Sequence, residues 1–266
     1  MNRAFFLILL VIGFIVLFIR YIETRGIFFP EKEIEVYPSA LNLPFEDIYI
    51  KTEDGARING WFIPRSNARY TLLFFHGNAG NIEHRLDKLV MLREAGVNIF
   101  IIDYRGFGKS EGRLTEEGFY LDANAAYNYL VNSRKIRPEE IILYGESLGT
   151  AVVIDLASKV KVAAIIVEGA FSRGRDMARK IYPFLPAFLF SNKFDSLKKI
   201  KKVQAPKLFI HSINDEIVPF ALADKLYKAA SAPRELIELI GSHNTAFLDS
   251  KEKYVSSIGL FIEKQG

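Results

Sequence analysis

The chain contains no cysteine in its 266 residues. Disulfides, thiolate metal sites and thiol nucleophiles are thereby excluded, while the compartment is left open. Charge of one sign is also scarce. Thirty-five Lys and Arg face 31 Asp and Glu, a net +4, too mild and too dispersed to argue for a nucleic-acid partner. Histidine is limited to four positions, and His84 and His211 lack companions at metal-ligand spacing, so no metal site is expected. The glycine-rich stretch Arg105–Gly112 has neither Walker nor dinucleotide spacing. It reads as a turn at a pocket rim, and no cofactor is expected. What is present is a half-hydrophobic, quarter-charged chain, long enough for one substantial core plus a small insertion or anchor. Nothing in the composition assigns an oligomeric state.

Ala4 to Ile19 are sixteen consecutive uncharged positions, all Phe, Leu, Ile or Val except Ala4 and Gly13. At ~1.5 Å per residue they rise about 24 Å, short of a ~30 Å hydrocarbon core, but Arg20 can snorkel and Tyr21-Ile22 extend the apolar length. A cleaved signal peptide needs small residues at its cleavage site, and Phe18–Ile22 offers none. Residues 1–25 are therefore expected to be a single-pass membrane anchor. Its orientation stays open, because Arg3 and the terminal amine on one side face Arg20, Arg25 and Lys32 on the other. Gly26 to Pro44, interrupted by Pro30 and Pro38, reads as an irregular connector.

Residues 26–266 are expected to form one domain. Asp47–Thr52 and Ile58–Ile63 alternate polar and apolar about the turn Glu53-Asp54-Gly55, which predicts an edge hairpin. Short apolar runs at Thr71–Phe75, Val97–Tyr104, Ile141–Gly145, Ala163–Val167, Lys207–His211 and Leu236–Ile240 read as strands. Between and after them, Ile82–Ala95, Thr115–Asn132, Ser147–Lys159, Pro219–Ala230 and Ala246–Glu263 read as helices, the first capped by Asn81. Such alternation predicts an α/β fold with a largely parallel sheet, because parallel strands need crossovers and helices supply them. Sites in such sheets collect at the carboxyl ends of the strands.

Chemistry is concentrated at Gly145-Glu146-Ser147-Leu148-Gly149. A strand stops at Gly145 and a helix starts after Ser147, so the serine sits on a turn too sharp for a Cβ at either glycine. G-x-S-x-G alone is a short pattern; the strand before it and the helix after it give it weight. The segment resembles the nucleophile elbow of the α/β-hydrolase fold, whose partners follow in the order serine, acid, histidine. A serine needs a base to take its proton and a carboxylate to hold that base. His243, in Gly241-Ser242-His243-Asn244 after the last strand, is the histidine late enough to serve. Asp215, in the loop after Lys207–His211, is the expected acid; Glu216 beside it and Glu168 at the end of Ala163–Val167 are rivals. The bland readings are a solvated histidine and a loop-capping aspartate. The backbone N–H groups of Leu148 and of Asn78, after the Thr71–Phe75 strand, are the expected oxyanion donors. His76 beside that loop is expected to orient it by hydrogen bonding.

His76-Gly77-Asn78-Ala79-Gly80-Asn81, Asp103-Tyr104-Arg105-Gly106-Phe107-Gly108, the elbow and Gly241-Ser242-His243-Asn244 occur in this order. Together they resemble the membrane-anchored α/β-hydrolase subgroup of Bem46-like serine hydrolases and animal protein depalmitoylases. The resemblance implies an α/β-hydrolase fold with a Ser-Asp-His triad. One departure stands out: relatives usually read His-Gly-x-x-Asp at the acid, and here Ser212 replaces the glycine.

Residues 172–202 interrupt the alternation and are expected to cap the site. They carry nine Lys or Arg against Asp176 and Asp195, with Tyr182, Phe184, Leu185, Phe188, Leu189 and Phe190 between. An ordinary lid with a solvated basic face is one reading. The other is a lid resting on anionic lipid that admits an acyl chain. The leading expectation is a serine hydrolase of carboxylic esters or thioesters, with lipid-like or acylated substrates. A peptidase acting at free amino termini is the alternative, to which a +7 lid is a poor host. A catalytically inactive membrane scaffold is the third, disfavoured by the complete set of candidate residues.

Overall fold

The computed structural model describes residues 3–25, 27–186, 190–191 and 193–266. An eight-stranded sheet forms the centre of the domain. Its antiparallel margin is the expected hairpin, β2 (Glu46–Lys51) and β3 (Arg57–Ile63), joined through β3 to β6 (Asn98–Ile102). From β6 inward, β4 (Thr71–Phe75), β7 (Ile141–Glu146), β8 (Ala164–Glu168), β9 (Lys207–Ser212) and β10 (Arg234–Leu239) run parallel. The strands β4, β7, β8 and β9 are buried along essentially their whole length. That is why they read as continuous apolar runs rather than alternating ones. Each fully buried Leu, Ile or Phe on them contributes roughly 1.5–3 kcal/mol relative to exposure.

Helices cover both faces. Phe75, Phe100, Leu143, Ile165 and Phe209 point into one core, filled from α3 (Glu116–Asn128) and α4 (Leu148–Ala157). Phe74, Ile101, Tyr144, Ile166 and Ile210 point into the other, filled from α2 (Leu86–Glu94) and α9 (Lys251–Glu263). Adjacent strand residues thus serve opposite layers, as the pleat requires.

Several expected boundaries move. The helix expected over 82–95 opens with a 3-10 turn, Ile82–Arg85, before α2. It does start at Asn81, whose side chain accepts from the Glu83 N–H at 3.0 Å. The helix expected over 246–263 is two pieces, Ala246–Asp249 and α9, meeting at Ser250, whose hydroxyl turns back to the Ile240 backbone instead of continuing the helix. The connector 26–44 is not wholly irregular: Phe29–Pro30 forms β1 and pairs in parallel with β5 (Ala79–Gly80). Sequence signals are weak for two-residue strands, and a proline inside one argues against it.

The amino-terminal segment is a helix, α1 (Arg3–Arg25), with Phe5, Phe6, Leu10, Phe14, Leu17 and Phe18 each about half exposed or more. Among the described residues, however, no helix is long and apolar enough to cross a membrane. The uncharged run covers sixteen residues, ~24 Å of rise against a ~30 Å hydrocarbon layer.

The expected cap holds α5 (Gly174–Ile181) and α6 (Ser196–Lys199). Phe188 and Leu189, counted among its aromatic and aliphatic residues, lie outside the described residues. The basic cluster is only partly free: Lys199 pairs with the buried Asp155 at 2.8 Å and stacks over Tyr120 at 3.9 Å, while Lys198, Lys201 and Lys202 are exposed.

Candidate active site

The nucleophile candidate is placed by backbone packing. In register, Phe75 lies beside Gly145 and Glu146 beside Glu168, so the ends of β4, β7 and β8 form one ledge. Ser147 follows with φ 51° and ψ −113°, a region costing roughly 1–3 kcal/mol for a residue with a side chain. The helix α4 turns so closely on the sheet that a Cβ on Gly149 would meet the Phe75 carbonyl oxygen at 1.9 Å, and one on Gly145 the Gly149 oxygen at 2.5 Å. Only hydrogen fits at both positions.

Beneath the turn lies a charged group that spacing gave no reason to expect. Glu146 meets Arg85 Nε at 3.2 Å and Lys88 Nζ at 3.3 Å. Lys88 also donates to both oxygens of Glu168 at 3.0 Å, and Glu168 accepts from the Tyr144 and Tyr254 hydroxyls. Burial works to raise the Glu146 pKa, but Arg85 and Lys88 outweigh it and bring it down to about 2. Glu168, a rival for the catalytic acid, is thus committed to this network, although its backbone carbonyl accepts the Ser147 N–H at 2.8 Å. The one available hint was Lys88 on an otherwise apolar helix face.

The loops after β9 and β10 bring the other two residues. His243 Nε2 lies 3.1 Å from Ser147 Oγ, and His243 Nδ1 lies 2.6 Å from Asp215 Oδ2. Both side chains are nearly sealed, 9% and 2% exposed. Asp215 Oδ1 accepts two backbone N–H groups, from Ile217 at 2.9 Å and Val218 at 2.7 Å. Burial would raise the Asp215 pKa; the hydrogen bonds from His243 and the Val218 N–H overcome it and hold the carboxyl below its ordinary value. His211 Nε2–H donates to the Val218 carbonyl at 2.9 Å and stands 3.4 Å from Asp215, and its burial keeps its pKa depressed. Glu216, the other rival, accepts the His243 backbone N–H at 3.0 Å. Ser212, which replaces the usual glycine, donates to the Gly241 carbonyl at 2.5 Å and accepts the Asn214 N–H at 3.1 Å. Its hydroxyl ties the acid-bearing loop to the histidine-bearing one.

Of the expected oxyanion donors, Leu148 is the first residue of α4, so its N–H has no intrahelical acceptor. Asn78 sits on the neighbouring loop; a Cβ on Gly77 would be 3.6 Å from Ser147 Cβ, which shows how close the loop runs. His76 is fully buried below it, its Nδ1–H donating to the Gly77 carbonyl at 2.7 Å and its carbonyl accepting from Tyr104. The glycine-rich corner is pinned rather than open: Arg105 pairs with Asp122 and Asp54, and Ser110 donates to the Asp103 carbonyl. A cavity of about 280 Å³ opens beside the elbow, with Glu31, Ala79, His84, Arg85, Glu146 and Asn244 in its wall. Among the described residues no three His, Asp or Glu side chains cluster to hold a metal ion.

A mostly parallel sheet that lifts a serine on a strand-to-helix turn, with histidine and aspartate from the next strand loops beside it, defines an α/β-hydrolase. Comparison with known proteins agrees. The esterase Pf2001 of Pyrococcus furiosus has the same fold, with a TM-score of 0.75 at 22% identity over 90% of this chain and 100% of that one. A family model described as serine aminopeptidase, S33, matches residues 66–198. The α/β-hydrolase domain-containing protein WAV2 of Arabidopsis thaliana is 34% identical over 257 residues, 88% of this chain and 83% of that one. Protein bem46 of Schizosaccharomyces pombe is 36% identical over 194 residues, 68% and 64% of the two chains. The chain belongs to the serine aminopeptidase S33 family of hydrolases and is one of its Bem46-like members.

Proposed function

We propose that this hydrolase cleaves carboxylic esters or thioesters through an acyl-enzyme on Ser147. His243 Nε2 takes the Ser147 hydroxyl proton as Oγ attacks the acyl carbon, and the N–H groups of Asn78 and Leu148 receive the charge developing on the carbonyl oxygen. The tetrahedral species collapses, and the alcohol or thiol leaves with the proton from His243. Water then repeats the sequence on the acyl-enzyme, releasing the acid and restoring Ser147. Asp215 holds the imidazole in one tautomer and balances its transient charge. The observation that carries this reading is the continuous line from Ser147 through His243 to Asp215, at 3.1 Å and 2.6 Å. Fluorophosphonate should label the wild type on Ser147 and leave Ser147→Ala unlabelled. An unlabelled, folded wild type would remove the proposal.

The name of the matched family supports a competing reading, cleavage at free amino termini. A cationic amine needs an acidic pocket, and the cap carries nine bases to two acids. Turnover of acyl esters and thioesters alongside aminoacyl arylamides decides between the two, with the esters expected to be the better substrates.

The substrates are lipid-like or acylated, and α1 holds the domain at a bilayer. Support comes from the apolar surface that α1 leaves exposed and from Phe184 and Ile181, 76% and 56% exposed on the cap among basic residues. Replacing Lys198, Lys201 and Lys202 by Gln should then slow turnover of an ester presented in anionic vesicles and spare a soluble short ester. Equal loss on both would reject contact between cap and membrane.

A further inference from the structure

The segment that leaves α1 is stitched to the loop that carries Asn78. Asn78 donates its side-chain amide to the Ile27 carbonyl at 2.5 Å, and its own carbonyl accepts the Phe29 N–H at 2.9 Å. One turn further, the Glu31 N–H donates to the Gly80 carbonyl at 3.0 Å, and the Asn81 amide donates to the Glu33 carbonyl at 2.6 Å. The Glu35 and Val36 N–H groups share Glu83 Oε2 at 2.5 and 2.9 Å. The segment also reaches the corner after β6, where the Gly108 N–H donates to the Glu31 carbonyl at 2.8 Å and Lys32 to the Ser110 carbonyl at 2.8 Å. Phe28 fixes its start, buried with ring centres 5.2 Å from Phe119 and 6.4 Å from Phe194 of the cap. Glu31 lines the cavity beside the elbow.

Asn78 is held from two sides by atoms of this one segment, through its side chain and through its carbonyl. Among the described residues its own N–H donates to no protein acceptor, so it is the group left over for a ligand. Loops of this kind are otherwise free to shift by a few tenths of an ångström, and a displaced donor loses much of its worth to a developing oxyanion. We infer that residues 27–36 are a working part of the active site: a strap whose bonds from the Ile27 carbonyl and the Phe29 N–H to Asn78 position the Asn78 N–H as an oxyanion donor. Ile27 and Phe29 touch no reacting atom; they are positioning residues. The inference rests on the ester-hydrolase reading above.

The test uses the full-length chain in detergent with p-nitrophenyl butyrate. Asn78→Ala cuts the tie to Ile27 from the loop side, and Phe29→Pro removes the N–H that binds the Asn78 carbonyl, at a side chain 59% exposed. Loss of a whole oxyanion donor costs about 10²–10³ in kcat, so a misplaced one should cost at least about tenfold. KM should change less than about twofold, because the donor acts on the transition state. Affinity for a trifluoromethyl ketone, which forms the oxyanion on Ser147, should fall by the same factor as kcat. The melting temperature should stay within a few degrees. The double variant should be worse than either single one, because each cuts a different tie to the same loop. Wild-type kcat and analogue affinity in the variants would overturn the inference, and so would losses that simply follow the melting temperature. Where Phe29→Pro does not fold, Asn78→Ala alone decides. A wild type inert to both the ester and fluorophosphonate would instead overturn the ester reading, and this one with it.

Discussion

The two halves of the site are held by different physics. At the elbow, position comes from backbone sterics: α4 lies so near β4 that Gly145 and Gly149 admit nothing larger than hydrogen, and Ser147 is left in a strained conformation. At the loops after β9 and β10, position comes from side-chain hydrogen bonds: Ser212 to the Gly241 carbonyl, Glu216 to the His243 N–H, and Lys180 of the cap to the Ile217 carbonyl at 2.8 Å. Backbone packing has no softer alternative, whereas a hydrogen-bonded loop can lose one tie and keep most of its geometry. The nucleophile should therefore tolerate almost no change around it, and the base should degrade in steps.

The largest effect should come from the carboxylate bond within the second half. Asp215→Asn keeps the shape but offers His243 an amide in place of a carboxylate, and kcat should fall by about 10³–10⁴-fold with little change in melting temperature; activity within tenfold of wild type would remove Asp215 from the mechanism. Next is Gly149→Ala. Its Cβ meets backbone at 1.9 Å rather than a movable side chain, so unfolding free energy should drop by about 3 kcal/mol or more; an unchanged denaturation midpoint would show that the elbow can yield.

Glu146→Gln probes the charged floor of the elbow. With the Glu146 pKa brought down to about 2 by Arg85 and Lys88 despite burial, against an unfolded value of about 4.3, its contribution is present above pH ~4 and is lost as pH falls toward 2. Urea midpoints measured from pH 7 to pH 2.5 should fall less steeply for Glu146→Gln than for the wild type. Parallel curves would mean that the network does not stabilise the fold through this charge. The smallest effect should be that of Glu216→Ala, which removes an exposed acceptor worth about 0.5–1.5 kcal/mol from the His243 backbone. Steady-state kinetics should show kcat/KM reduced several-fold, with unfolding free energy lowered by no more than about 1 kcal/mol; a loss as large as that of Asp215→Asn would make the two halves equally rigid.

Much of this was legible in the chain because its signals are local. The strand Thr71–Phe75, the Asn81 cap and the hairpin at the sheet margin follow from short-range pattern and stereochemistry, and the structure has each of them. The contact of Ser147 with His243 spans 96 residues and that of His243 with Asp215 spans 28. Motif order named the residues, but no spacing states a distance. At three places the local signal and the fold part. Glu168 reads as a possible acid by its place at a strand end and is diverted by Lys88, which lies 80 positions earlier. Phe29–Pro30 reads as connector and becomes a strand because Ala79–Gly80 offers it partners. The apolar run of α1 reads as a span, yet among the described residues no helix is long and apolar enough to cross a membrane.

By itself, the sequence determined the α/β alternation, the hydrolase family and the sharp turn at Ser147. Each rests on periodicity or on what a glycine lets the backbone do within a few residues. Only the tertiary structure decided which acid faces His243, what lies under the elbow, and that the segment leaving α1 grips the Asn78 loop. Those depend on side chains meeting across long loops, where burial, charge and hydrogen-bond direction choose among partners that the chain order leaves equivalent.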